Sequence, residues 1–143
     1  MAGRIKRDYA MTTVLLVEDE ALLASVVAEA LVDAGYTLCG VAESAGAALA
    51  VALKRAPDLA VIDVRLIGSR DGIDLADDLT RLGRVGILFA TAKCDEVKRR
   101  ARVRGGCLAK PYRAEWLVAA LQIVERGTSG ALAAPPGFFS LSR

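Results

Sequence analysis

Leu59-Ala60-Val61-Ile62-Asp63 is the stretch that decides the fold. Four apolar residues in succession are too few for a helix. They also lack the apolar–polar alternation of a strand with one wet face. Such a run reads as a strand buried on both sides, the kind found in parallel sheets covered by helices. An acid follows it directly.

The same unit recurs in both directions along the chain. Upstream, Val14-Leu15-Leu16-Val17 is a second apolar run, followed by Glu18-Asp19-Glu20. Leu23, Val27, Ala30, Leu31 and Ala34 then recur at helical spacing, and Gly35 ends that helix. Thr37 to Ala42 reads as a strand, and Ser44 is placed to cap a helix on Ala45, Ala48, Leu49, Ala52 and Leu53 that Pro57-Asp58 breaks. Downstream, a loop with Gly68, Ser69 and Gly72 precedes a helix on Ile73, Ala76, Leu79 and Leu82 that stops at Gly83. Gly86 to Ala90 is the fourth strand, ending at Thr91, and Asp95 to Arg102 a short basic helix. Cys107-Leu108-Ala109 is the fifth strand, ending at Lys110-Pro111, and the fifth helix carries Leu117, Ala120, Leu121 and Val124. Five β–α units in a row predict a parallel sheet with helices on both faces.

Composition agrees. A chain of 143 residues, 54% hydrophobic and only 5% aromatic, suits one α/β domain with small helix–sheet contacts. Boundaries are expected at 1–12 for an N-terminal extension, 13–126 for the domain, and 127–143 for a flexible Gly/Ser/Ala/Pro-rich tail or linker. The formal charge of +2 gives no sign of direct nucleic-acid binding. No run is long enough to span a bilayer, and the basic N-terminus lacks a signal peptide's apolar stretch, so a cytoplasmic protein off the membrane is expected. Three scattered cysteines and no histidine argue against a zinc site, and free thiols fit a reducing compartment.

In sheets of this kind ligands bind beyond the carboxyl ends of the strands. Those ends carry Glu18 and Asp19, Asp63, Thr91 and Lys110. Three clustered carboxylates repel one another, and a hard cation with oxygen ligands relieves that repulsion. Magnesium fits best, because it uses one or two carboxylates and keeps waters that a phosphate can replace. A lysine and a hydroxyl beside it can hold further phosphate oxygens. A carboxylate there can attack phosphorus and form an acyl phosphate.

Val17-Glu18-Asp19-Glu20, Ile62-Asp63-Val64, Phe89-Ala90-Thr91-Ala92 and Lys110-Pro111, each at a strand end and in this order, resemble the signature of response-regulator receiver domains. The resemblance covers roughly Thr13 to Arg126 and implies the flavodoxin-like (βα)5 fold with strand order 2-1-3-4-5. It implies Asp63 as phosphoacceptor. Asp19 would be a direct magnesium ligand, Glu18 a ligand directly or through water, and the Arg65 backbone carbonyl a further ligand. Thr91 would be the switch hydroxyl, Lys110 the contact to a phosphoryl oxygen, and Pro111 would shape its turn. Ala92 would leave the acceptor reachable, and Arg65 and Lys93 would tune the lifetime of the phosphoryl group. The implied donor is a histidine kinase or a histidine phosphotransfer protein, and the implied output is a downstream protein target. A chain without histidine cannot itself be the donor. The Phe-Ala-Thr strand end also resembles an alphaproteobacterial subgroup of single-domain receivers.

Two features depart from the pattern. Receivers usually carry Tyr or Phe three residues before the lysine, and here that residue is Cys107. The segment from Thr91 to Lys110 is about three residues short, which predicts a truncated or mobile fourth helix.

Several plainer readings stand beside these. Glu20 serves a helix N-terminus, Thr91 makes a local backbone bond, and Cys107 is more simply a small buried residue than a redox sensor. The basic run Lys98-Arg99-Arg100 with Arg102 and Arg104 is either a solvated face or a contact for an acidic partner. A haloacid-dehalogenase-type phosphatase would want an acid where Arg65 stands, and a nucleotide or flavin module would want a phosphate-cradling loop where Glu18-Asp19-Glu20 stands. The alternatives to a stand-alone receiver are a phosphorylation-independent scaffold of the same shape, or a receiver cut from a longer regulator or hybrid kinase. Trp116, Val118 and Ile123 make the fifth helix apolar over much of its circumference. Its cover would be the tail, through Phe138, Phe139 and Leu141, or a second subunit, giving a homodimer.

Overall fold

The computed structural model describes residues 12–127 and 133–142. The expected N-terminal extension therefore lies, apart from Thr12, outside the described residues. The strands are β1 (Thr13–Val17), β2 (Thr37–Ala42), β3 (Leu59–Ile62), β4 (Gly86–Thr91), β5 (Arg104–Ala109) and β6 (Phe138–Ser142). The helices are α1 (Ala21–Asp33), α2 (Ala45–Lys54), α3 (Gly72–Leu82), α4 (Cys94–Arg100) and α5 (Ala114–Arg126). The sheet order is β2-β1-β3-β4-β5-β6. The first five strands run parallel, and β6 pairs antiparallel with β5.

Side chains alternate along each strand, so each strand feeds two layers. Leu15, Val17, Ala60, Ile62, Ile87, Phe89 and Cys107 face the layer beneath α2, α3 and α4. Val14, Leu16, Leu59, Val61, Leu88, Ala90 and Leu108 face the layer beneath α1 and α5. This two-sided burial is why β3 reads as an unbroken apolar run. Alanines at 45, 48 and 52 let α2 lie close to the sheet. The Ser44 hydroxyl caps α2, accepting the Ala47 amide at 3.1 Å.

The sixth strand corrects the expected five-stranded sheet and flexible tail. Phe138 joins the α1–α5 layer, whereas Phe139 and Leu141 join the other, so the tail segment supplies the alternating apolar pattern of a strand. Phe138 lies against Gly106, where any side chain would collide with its ring. Trp116, Val118 and Val124 of α5 pack into the same layer as Phe138. Part of the face expected to seek a second subunit is thus covered from within the chain.

Two boundaries also move. β5 begins at Arg104, three residues before the expected start, because Gly105 takes φ +147° where a side chain would collide with the Ile87 carbonyl oxygen. The fourth helix spans Cys94–Arg100, not Asp95 to Arg102, because Ala101 turns to extended backbone.

Candidate functional site

Backbone pairing brings the strand ends to one edge. The Glu18 amide donates to the Ala42 carbonyl at 2.9 Å, the Asp63 amide to Val17 at 3.0 Å, and the Lys110 amide to Thr91 at 2.9 Å. These bonds continue the backbone ladder to the residue just past each strand.

Side-chain oxygens of Glu18, Asp19 and Asp63 lie within 4.8 Å of one another. Glu18 is 5% exposed and Asp63 6%, while Asp19 is half-buried. Lys110 offsets part of the cluster's charge: its Nζ donates to Asp63 Oδ2 at 2.8 Å and lies 3.0 Å from Glu18 Oε1. Exposed Glu20 also lies 3.6 Å from that ammonium, so it does more than serve a helix terminus. The second Glu18 oxygen accepts the Glu20 amide at 3.0 Å.

Burial pushes the Glu18 carboxyl above its ordinary value, only partly offset by the Glu20 amide and Lys110. Burial would lower the pKa of Lys110, but the carboxylates of Asp63 and Glu18 outweigh it and hold the ammonium above its ordinary value. Half-buried Tyr112 beside the cluster has its phenol pushed up by burial and by the Glu18 charge. Buried carboxylates this close, sharing one ammonium, form a donor set of hard oxygens that suits a magnesium-sized cation.

Thr91 is fully buried at the end of β4, and its Oγ1 accepts the Lys93 amide at 3.0 Å. The local backbone bond considered from sequence is therefore made. Arg65 and Ala92 are exposed, Lys93 is half-buried, Cys107 is buried and Pro111 is exposed. Lys110-Pro111 is a cis peptide.

Three neighbours were missed from sequence. The Gly72 amide donates to the Val64 carbonyl at 2.8 Å. A Cβ at Gly72 would collide with the Asp63 carbonyl oxygen and stand 2.7 Å from Ile62 Cγ2. Asp71 caps α3: its Oδ1 accepts the Ile73 and Asp74 amides, both at 3.0 Å, while Asp74 accepts the Asp71 amide at 3.1 Å. Arg100 then reaches from the end of α4 to Asp71, at 2.7 and 3.3 Å. Burial alone would raise the Asp71 carboxyl, but the Arg100 bonds and the helix amides hold it below its ordinary value. The signal was present as Asp71-Gly72 followed by an acid at the third helical position, a capping-box pattern. Nothing local announces Arg100 as its partner.

Residues 14–122 match the response regulator receiver domain family. The chain is 36% identical over 114 residues to the transcriptional regulatory protein PdtaR of Mycobacterium tuberculosis, covering 77% of this chain and 55% of that protein. It is 38% identical over 122 residues to the phosphate regulon transcriptional regulatory protein PhoB of Pseudomonas aeruginosa, covering 81% and 52%. The chain thus spans about half the length of these curated relatives. The solution structure of the Erythrobacter litoralis PhyR response regulator receiver domain superposes with a TM-score of 0.74 at 22% identity, covering 86% of this chain and 96% of that one, a likeness of fold.

Proposed function

From the premise that the chain belongs to the response regulator receiver domain family, we propose that it accepts a phosphoryl group on Asp63. The observation that carries the reading is the pairing of buried Asp63 with Lys110 at 2.8 Å, inside a cluster that also holds Glu18 and Asp19.

Asp63 supplies the nucleophile. One carboxylate oxygen attacks phosphorus, the bond to the donor nitrogen breaks, and the imidazole of a histidine kinase or phosphotransfer protein leaves. Asp19, Asp63 and the Arg65 carbonyl, with Glu18 directly or through water, would hold Mg2+. When bound, that ion offsets charge on the transferring group. Lys110 already donates to Asp63 and is placed to exchange that bond for one to a phosphoryl oxygen. Its raised pKa keeps it charged throughout the physiological range.

Thr91 serves as the switch hydroxyl. Its Oγ1 accepts the Lys93 amide and keeps its own proton free to donate to a phosphoryl oxygen, so a shift of Thr91 toward that group carries the β4–α4 loop with it. Ala92 leaves the acceptor open, while Arg65 and Lys93 tune the lifetime of the phosphoryl group. Pro111 shapes the turn that aims Lys110. Output runs through a downstream protein target in the cytoplasm. Among the described residues no helix is long and apolar enough to cross a membrane. A homodimer through α5 would use only the part of that face that Phe138 and its layer leave open.

Reduction of the acyl phosphate with borohydride, followed by peptide mapping, tests the assignment. Conversion at position 63 is expected after treatment with acetyl phosphate. Conversion at Glu18 or Asp19 instead would overturn it.

A further inference from the structure

Cys94 and Cys107 bring their sulfur atoms to 3.1 Å across the β4–α4 loop and β5. Cys94 is half-buried and opens α4, whereas Cys107 is wholly buried within its strand. The two differ in access, and the third cysteine, Cys39, lies on β2 at the far side of the sheet. A core that merely needed small residues at these positions has no need of sulfur at both.

We propose that Cys94 and Cys107 form a reversible intramolecular disulfide on exposure to a hydroperoxide. The accessible Cys94 thiolate attacks the peroxide oxygen. The O–O bond breaks, leaving a sulfenic acid and hydroxide, which takes up a proton to become water. The Cys107 sulfur then attacks the Cys94 sulfur, giving up its proton, and the sulfenic oxygen departs as a second water. Two thiols are oxidised by two electrons and one peroxide is reduced. A disulfide bond is about 2.05 Å long, so the sulfurs need close by only about 1 Å. Cys107 is wholly buried and Cys94 only half-buried, which assigns the first attack to Cys94, and burial also holds the Cys107 thiol above its ordinary pKa.

The consequence rests on the phosphorylation reading. Cys94 lies three residues past Thr91, and its sulfur also meets the Thr91 carbonyl at 3.7 Å. Cys107 lies three residues before Lys110. A bond between them ties the loop that must carry Thr91 inward to the strand that aims Lys110. The oxidised protein would therefore keep its acidic cluster but lose the movement that reports phosphorylation.

The test treats the reduced full chain with a modest excess of hydrogen peroxide and no phosphodonor, then alkylates under denaturing conditions. The expected protein has lost two hydrogens in mass, carries label on Cys39 alone, and yields a peptide linking Cys94 to Cys107. Dithiothreitol restores all three sites. C94S, altered at the more accessible position, should form no link, and C107A provides the second control. Three labelled thiols in the wild type, or a link through Cys39 or between chains, would overturn the site. Because this arm uses no phosphodonor, its result is independent of Asp63 chemistry. A second arm compares beryllofluoride-induced shifts of the Thr91–Cys94 amides by NMR. Their loss on oxidation and return on reduction is expected, and equal shifts in both forms would overturn the pinning.

Discussion

Replacing Lys110 with methionine keeps most of the side-chain stem and removes the ammonium that holds the acidic cluster together. In the wild type this charge lies 2.8 Å from Asp63 and 3.0 Å from Glu18, acids exposed by only 6% and 5%. Removing one member of a buried ion pair costs about 3–5 kcal/mol, because the survivor is left uncompensated. The lysine side chain is itself 19% exposed, so water screens part of the interaction and brings the cost below that range, to about 2–3 kcal/mol. Urea unfolding at neutral pH with a chelator present measures it, as a shift in midpoint at unchanged m.

The deficit also has a pH signature. Lys110 has a raised folded pKa, so its contribution is fully present below its ordinary 10.5 and is lost only as pH climbs through the folded value. Between about pH 5 and 8 the wild-type lysine therefore does not titrate. Burial pushes the Glu18 carboxyl above its ordinary value, and losing the ammonium that opposes that shift raises it further. In the variant, acidification neutralises Glu18 and removes one of the stranded charges, so the deficit should shrink as pH falls toward the carboxylate range. Magnesium should restore more stability to the variant than to the wild type, since no ammonium competes for the same oxygens. A variant within about 0.5 kcal/mol of the wild type in chelator, or a deficit flat with pH, would refute the role assigned to Lys110.

Asp71→Ala removes the cap of α3 and the Arg100 pair together. The cap is worth about 1 kcal/mol, and the part-exposed pair adds up to about 1 more. Because the Asp71 pKa is lowered on folding, this stability is present above its ordinary 3.8 and fades as pH falls through the folded value, which acid titration of wild type and variant by circular dichroism would reveal. Gly72→Ala forces a Cβ onto the Asp63 peptide. A cost of about 1–3 kcal/mol in urea unfolding is expected, with slowed phosphorylation by acetyl phosphate. Thr91→Ala should leave magnesium affinity by calorimetry unchanged, because its hydroxyl bonds the Lys93 amide and not the acids, yet abolish the beryllofluoride-induced shifts in the β4–α4 loop.

The parallel core was legible because double burial writes itself as apolar runs, and Leu59 to Ile62 needed no tertiary knowledge to be read. The acids and the lysine were equally legible, since each stands directly after such a run and parallel pairing aligns the ends. The sixth strand was hidden because Phe138-Phe139-Ser140-Leu141 follows a Gly/Pro-rich stretch and pairs with β5 beside Gly106, whose missing side chain makes room for Phe138. Arg100 looked like one more charge in a basic run. Its reach to Asp71, 29 residues earlier, depends on how α4 lies against α3. The Cys94–Cys107 contact is likewise tertiary, joining a helix start to a neighbouring strand.

Intact mass after incubation with acetyl phosphate, with and without magnesium, on the wild type and on Asp63→Asn, tests the central claim most directly. The account predicts a magnesium-dependent gain of one phosphoryl group in the wild type and none in the variant. No gain in the wild type, or an equal gain in Asp63→Asn, would contradict it.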